Sequence, residues 1–406
     1  MRKIILIIAL LLLPSLMVHA DDVKLTDKYH DPPQFTATDA EKDVFYAISA
    51  RCRTINVDTP DWDPALSNAA RVLAKKIAED PEKAPEIMSN DTITGAINQF
   101  GGTDASIQAF VESYLLVGQL PELIRTRMNS RLADEFYTHI GIAVESRLLP
   151  PSRYMVVIFA RRPVILEPIR RQVVVGQDVF VKGRITKANV TRPELLIVLP
   201  SGTQRTIKID NVGYDGKFEH KLDFEEGGGD YRIELVVHSF RGPEVASLFN
   251  LDVLGDSTKK FSKPYITIPD LPPTRTVFEA EERMYYLIND ARLAAGKPKL
   301  QRNHDLDMVA RKYAVDLMKS GRIAHRDYKG KDIGDRMKEA GIPFRTVGEN
   351  IAVNESIIEA HKGLLDSPGH AALIFDDRFT HVGIGVAMMQ TGIKRHVFVV
   401  EVFHRK

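Results

Sequence analysis

The strongest constraint on this 406-residue chain is that its two ends resemble each other. Leu66-x-x-x-Ala70-Arg71-x-x-Ala74 is matched by Leu306-x-x-x-Ala310-Arg311-x-x-Ala314. Thr138-His139-Ile140-Gly141-Ile142-Ala143-Val144 is matched by Thr380-His381-Val382-Gly383-Ile384-Gly385-Val386. The offset is about 240 residues in both places. The first pattern has helical spacing and the second reads as a strand. Holding both at a near-constant separation specifies two units of similar length rather than two chance motifs. In the first unit Phe45, Ile48 and Cys52 share a helix face, and further helical stretches are expected through Met128. Ile140–Val144 and Met155–Phe159 then read as two paired strands. In the second unit Thr276-x-x-Glu279 is a capping box, with Met284, Leu287, Ile288 and Ala291 on the apolar face behind it. Gly321 ends the next helix.

Between the units the period is that of strands. Val173–Val175, Val179–Val181, Leu195–Leu199, Thr206–Ile209, Phe218–Phe224, Tyr231–Val237 and Ala246–Val253 follow one another, separated by turn residues. Short strands with regular turn signals predict an all-β, Ig-like sandwich. Gly227-Gly228-Gly229 reads as a strand-to-strand turn, because no Lys-Ser/Thr or helix start follows to make it a phosphate loop. Pro264, Pro269, Pro272 and Pro273 mark a linker. The expected organisation is a signal peptide over 1–20, a flexible leader over 21–40, and a first unit over 41–162. A sandwich over 163–256, a linker over 257–275 and a second unit over 276–406 complete it.

Arg2 and Lys3, the apolar run Ile4–Leu13 and Val18-His19-Ala20 have the order of an export signal with cleavage after Ala20. The run is short of the about 20 residues that span a bilayer, so the processed chain is expected to be secreted or periplasmic, with no stable membrane span. Lys+Arg is 55 and Asp+Glu 54, so the basic excess of a nucleic-acid binder is missing. The single cysteine, Cys52, rules out an intramolecular disulfide framework and is expected to be a buried small hydrophobe. Asn189-Val190-Thr191 has the form of a glycosylation site but falls in a strand-to-strand loop. Arg161-Arg162 and Arg170-Arg171 read as solvated edges.

Chemistry concentrates in three segments of the second unit: Ala324-His325-Arg326-Asp327, Gly348-Glu349-Asn350-Ile351 and Ser367-Pro368-Gly369-His370. With Asn289-x-Ala291-Arg292, Asp335-Arg336-Met337 and Phe379–Gly385 they occur in an order and spacing that resembles the CAP superfamily of cysteine-rich secretory, antigen 5 and pathogenesis-related proteins. Ser367-Pro368-Gly369-His370 is similar to the hallmark of its bacterial secreted branch. The resemblance runs over about 278–403 and implies an α-β-α sandwich with an open cleft. It also implies a cleft of two His and two Glu able to hold a divalent metal. His325 and Glu349 match the first His and Glu. The second Glu falls near Ser367, the last His near Arg378, and His370 stands close by instead. The fold expected for the whole chain is therefore multidomain, an α-β-α, CAP-like sandwich at each end of a central Ig-like one.

These residues permit several chemistries. His325, Glu349 and His370 are the right types for a three-ligand site for a divalent metal such as zinc, with an open position for water. Without metal, Glu349 is placed to orient an imidazole for acid–base work. Ser367 and His370, three apart, suggest a Ser-His-Glu nucleophile, although Ser-Pro is commonly a turn or cap. The structural alternative is that these side chains, with Asn350, hydrogen-bond loops into shape. His381 is set aside, since its match His139 recurs in a first unit that has no Gly-Glu-Asn and no His between Asp80 and Ser130. The first unit is thus expected to be a degenerate copy. No residue is assigned as assuredly catalytic. The leading expectation is an extracellular or envelope binding and adhesion module that takes a small apolar ligand, a peptide or a cell-envelope component. A metal-assisted hydrolase of peptide or envelope substrate is the alternative.

Overall fold

The computed structural model describes residues 34–133, 137–186, 190–240, 242–257, 271–391 and 394–406. The signal segment 1–20, most of the leader, Asn189 of the sequon and most of the linker lie outside the described residues.

The two ends share one topology. At the N-terminal end the sheet order is Asp61–Trp62, His139–Arg147, Ser152–Ala160 and Ile107–Tyr114. At the C-terminal end it is Gln301–Arg302, His381–Thr391, Lys394–Arg405 and Thr346–Asn354. In each sheet the two-residue edge strand is parallel to its neighbour and the remaining pairs are antiparallel. Alternating side chains of a strand face opposite layers. Val397, Val399 and Phe403 accordingly pack with Met284, Ile288 and Leu364, while Phe398, Val400 and Val402 pack with Ala310, Tyr313 and Leu317. The N-terminal sheet divides its core in the same way, Val157 and Phe159 to one side, Val156 and Ile158 to the other. Cys52 is fully buried in that core.

The matched motifs touch each other. A Cβ on Gly141 would lie 2.3 Å from the backbone of Leu66, and one on Gly383 would lie 2.2 Å from Leu306 Cβ. The leucine and the glycine of each repeat are therefore the two sides of one contact between a helix backbone and a strand. Further equivalences follow the same offset. Buried Glu41 pairs with Arg71, and buried Glu281 with Arg311, each at 2.6 Å. Ser67 Oγ accepts the Ile142 amide, as Asp307 Oδ1 accepts that of Ile384.

Two sheets face each other between these ends. One has the order Lys217–Leu222, Val179–Ile185, Val164–Leu166. The other has Gln172–Val174, Gly242–Ser257, Gly227–Ser239, Thr191–Val198, Gln204–Lys208. Val181, Leu195, Ile233, Leu235, Phe249 and Leu251 fill the space between them.

Three sequence expectations are corrected. Ile107–Tyr114, placed among helical stretches, is an edge strand; its Ile107, Ala109 and Val111 alternate onto the core of the second helix. Gly227-Gly228-Gly229 is not a turn but the bulged start of a long strand, where Gly228 lies against the backbone of Gly255 too closely for a side chain. Arg161 and Arg162 are not solvated. Arg161 is 5% exposed and pairs with Glu244 of the central sheets at 2.6 Å, and Arg162 pairs with Asp63 and Asp104. The Arg161–Glu244 pair, with the Leu248 amide donating to Thr103 O, fastens the N-terminal unit to the central one.

Candidate functional site

The loop carrying His325 leaves the helix His304–Ser320 through Gly321, whose φ of 67° is the left-handed turn glycine adopts without strain. Tyr313 OH donates to Ala324 O at 2.5 Å and pins that loop to the helix. Glu349 lies in the strand Thr346–Asn354, with Asn350 pointing to the opposite layer. Its Oε1 is 3.0 Å from His325 Nδ1, and its Oε2 pairs with Arg336, whose guanidinium sits 3.5 Å from the Tyr313 ring centroid. Both oxygens of this nearly buried carboxylate are thus engaged.

Ser367 and His370 stand where the helices Ile357–Asp366 and Pro368–Phe375 meet. His370 Nδ1 is 2.7 Å from Ser367 Oγ. Ser367 Oγ in turn donates to Glu234 Oε2 at 3.0 Å, and the Gly369 amide donates to the same oxygen at 3.0 Å. Glu234 belongs to the central sheets. It sits between inward-facing Ile233 and Leu235, so the strand period turns it outward, yet it is 1% exposed because Ser367–Gly369 cover it. Burial raises its pKa, partly offset by these donors. Gln204 Nε2 donates to Pro368 O and Arg232 to Asp366, completing the contact. At the other edge, a Cβ on Gly242 would lie 3.0 Å from His325 Cβ. The central sheets therefore come against both segments, at Ser367–Gly369 and beside His325, while both histidines stay partly exposed. A cavity of about 320 Å³ lies elsewhere, between Pro272–Thr274 and Ser356–Lys362.

The hydrogen-bond chain sets the tautomers. Glu234 accepts the Ser367 hydroxyl proton, so His370 Nδ1 is the donor to Ser367 Oγ. Glu349 Oε1 is the acceptor in its contact with His325, whose Nδ1 is then also a donor. Nδ1 of each imidazole is thereby engaged, and among the described residues neither Nε2 has a hydrogen-bond partner. The rings are 6.4 Å apart and inclined by 30°. Burial, and then the His325 charge, push the His370 pKa well below the usual imidazole range. Asn350 Nδ2 donates to His370 O and to Glu401 Oε2, which lies opposite it on the partner strand.

Of the residues singled out by sequence, His325 and Glu349 meet directly, Ser367 and His370 meet directly, and Asn350 ties the second pair to the sheet. The Ser-His-Glu nucleophile does not assemble. Ser367 is 8% exposed, its hydroxyl donates to Glu234, and Glu349 serves the other histidine. Among the described residues no group of three or more His, Cys, Asp or Glu side chains is placed together as an ion-holding set. Glu234, Arg336 and Glu401 were missed as site residues. Glu401 carried a readable signal as a charge inside the apolar run 397–403. His381 and His139 each bond through Nδ1 to the preceding threonine, away from this site.

Residues 285–403 match the family model described as CAP, the cysteine-rich secretory protein family. The uncharacterized membrane protein YlbC of Bacillus subtilis (strain 168) is 31% identical over 108 residues, covering 26% of this chain and 31% of that protein. The uncharacterized protein YkwD of the same strain is 32% identical over 106 residues, covering 26% of this chain and 41% of its own length. The chain thus spans well under half the length of the curated relatives it matches. A solved extracellular protein containing a SCP domain from Bacillus anthracis str. Ames is 21% identical, with 47% of this chain and 64% of that one covered and a TM-score of 0.29. No described helix is long and apolar enough to cross a membrane. On its motifs and this match, residues 285–403 form a domain matching the CAP, cysteine-rich secretory protein, family.

Proposed function

We propose that the protein is an exported envelope-binding module of three domains: a degenerate CAP-like domain over 41–162, an Ig-like sandwich over 163–256 and a CAP domain over 276–406. The shared strand order and the repeated Glu–Arg pairs support the duplication. The observation that carries the functional reading is the commitment of the Glu349 carboxylate and the Ser367 hydroxyl to neighbours within the fold. Glu349 is saturated by His325 and Arg336, and the Ser367 hydroxyl is held by Glu234. What remains are two imidazole Nε2 atoms beside a domain junction, suited to hydrogen-bond polar groups of a peptide or envelope component. A metal-assisted hydrolase needs a ligand set that these residues do not form.

Co-sedimentation with isolated cell-envelope particles, with the supernatant assayed for released fragments, separates the two. The chain should sediment with the particles and release nothing. The His325→Ala/His370→Ala double variant, checked to melt cooperatively, should be retained at least tenfold less. Fragment release that disappears in the double variant would establish the hydrolase instead.

A further inference from the structure

The N-terminal unit carries an apolar tip that its own fold does not use. Tyr114 pairs with Arg153, and Arg147 with Ser152, so the loops after Tyr114 and after Arg147 emerge side by side from one end of the sheet. Leu115, Leu116 and Val117 are 57%, 70% and 41% exposed, and Leu148 and Leu149 are 85% and 81% exposed. The opposite end of the same sheet, at Ile107 and Ala160, adjoins the Arg161–Glu244 and Asp104–Ser247 contacts with the central sheets. The tip therefore projects away from the rest of the molecule.

Its charge is one-sided. Ser113–Gln119 and Ser146–Arg153 contain no acidic residue but do contain Arg147 and Arg153. Arg147 Nε donates to Leu149 O and Arg153 lies 6.0 Å from the Tyr114 ring centroid; among the described residues neither pairs with a carboxylate. The acids around its base are Glu112, paired with Arg127, exposed Glu145, and Asp43, which lies close enough to act on the Tyr114 hydroxyl. Exposed aliphatic side chains in contiguous loops mark an interaction surface. A stable protein interface needs about 800 Å² per partner and favours aromatic anchors. A convex pair of aliphatic loops offers neither. A lipid surface asks only for apolar side chains that sink below the headgroups and for cations that meet phosphate.

We propose that this tip docks the protein on an anionic bilayer surface, Leu148 and Leu149 entering the headgroup layer with Leu115 and Leu116, and Arg147 and Arg153 facing lipid phosphate. The test is co-sedimentation with vesicles of phosphatidylcholine alone or mixed equally with phosphatidylglycerol. The chain is taken from Asp21, so that the apolar run Ile4–Leu13 does not itself bind lipid. Binding is expected to the mixed vesicles and to fall at least tenfold in Leu148→Asp/Leu149→Asp, whose melting should be unchanged because both side chains lie in solvent. Arg147→Gln and Arg153→Gln should each weaken binding to the mixed vesicles by about fivefold and leave any binding to neutral vesicles alone. Failure of the parent chain to bind the mixed vesicles would overturn the proposal, as would equal binding by the aspartate variant. Concentration-dependent self-association without vesicle binding, lost in the same variant, would assign the tip to a protein contact and overturn it as well.

Discussion

Gly383→Ala and Gly385→Ala should each unfold the C-terminal domain or leave it barely stable. At Gly385 an added Cβ would sit 2.1 Å from the carbonyl carbon of Ala310 and from the amide of Arg311, and at Gly383 2.2 Å from Leu306 Cβ. These are backbone and first-carbon atoms of the helix His304–Ser320, so no side-chain rotation relieves the clash. The helix must move off the sheet, opening the core that Leu306, Ala310, Tyr313 and Ala314 share with Val400 and Val402. Overpacking of this kind costs roughly 1–3 kcal/mol where side chains can yield and more where backbone must. We expect a loss of more than about 3 kcal/mol, a large share of the stability of an ordinary domain. Urea unfolding of each variant checks this, with Gly363→Ala as control. Gly363 lies in the helix Ile357–Asp366 with open space at its Cβ position, and should be neutral or slightly stabilising. A change below about 0.5 kcal/mol at Gly383 or Gly385, the range of an ordinary surface substitution, would mean that the helix does not rest on the sheet as described.

That contact also explains how much of the fold was legible. A glycine in a strand and a leucine in a helix are each unremarkable, but their recurrence at one offset records a packing requirement. The capping box at Thr276 and the Gly321 stop could be read because their causes are local. The strand Ile107–Tyr114 was not legible, since alternation over IQAFVESY is mixed with polar positions on an edge. Within the site, the proximity of His325 to Glu349 and of Ser367 to His370 followed from motif order. What could not be read is the contribution of the central domain. Glu234 looks like the solvent-facing residue of an alternating strand, and only the docking of Ser367–Gly369 buries it. Arg161 and Arg162 failed for the same reason, because their partners Glu244, Asp63 and Asp104 are distant in sequence.

Glu401→Gln should make the protein more stable at pH 8 and change it little near pH 4.5. Glu401 is fully buried, accepts one hydrogen bond from Asn350 Nδ2 at 3.0 Å, and leaves Oε1 without a partner among the described residues. Burial pushes its pKa up to about 7. The folded chain therefore holds this proton where the unfolded chain has released it. Its contribution is present below the ordinary carboxylate pKa and is lost as pH rises through about 7. At about 1.4 kcal/mol per pKa unit, that amounts to roughly 3 kcal/mol across the window. Glutamine keeps the shape, removes the charge, and offers an N–H to Asn350 Oδ1, which has no partner in the described structure. His361, fully buried with its pKa pulled down to about 4, acts with the opposite sign and costs stability as pH falls below the imidazole range. The difference between parent and variant isolates Glu401 from it. Melting temperatures of both chains from pH 4.5 to pH 8 should diverge as pH rises. A variant less stable than its parent at pH 8 would show that the ionised carboxylate is paired, and would contradict the account.

The central claim is that His325, Glu349 and His370 form a hydrogen-bonded network reaching into the neighbouring domain through Ser367 and Glu234, and not a metal centre. The direct measurement is calorimetric titration of Zn²⁺ into the full chain beside His325→Ala and His370→Ala. The account predicts no saturable one-to-one binding in the parent and no difference between parent and variants. Stoichiometric binding abolished in both variants would contradict it.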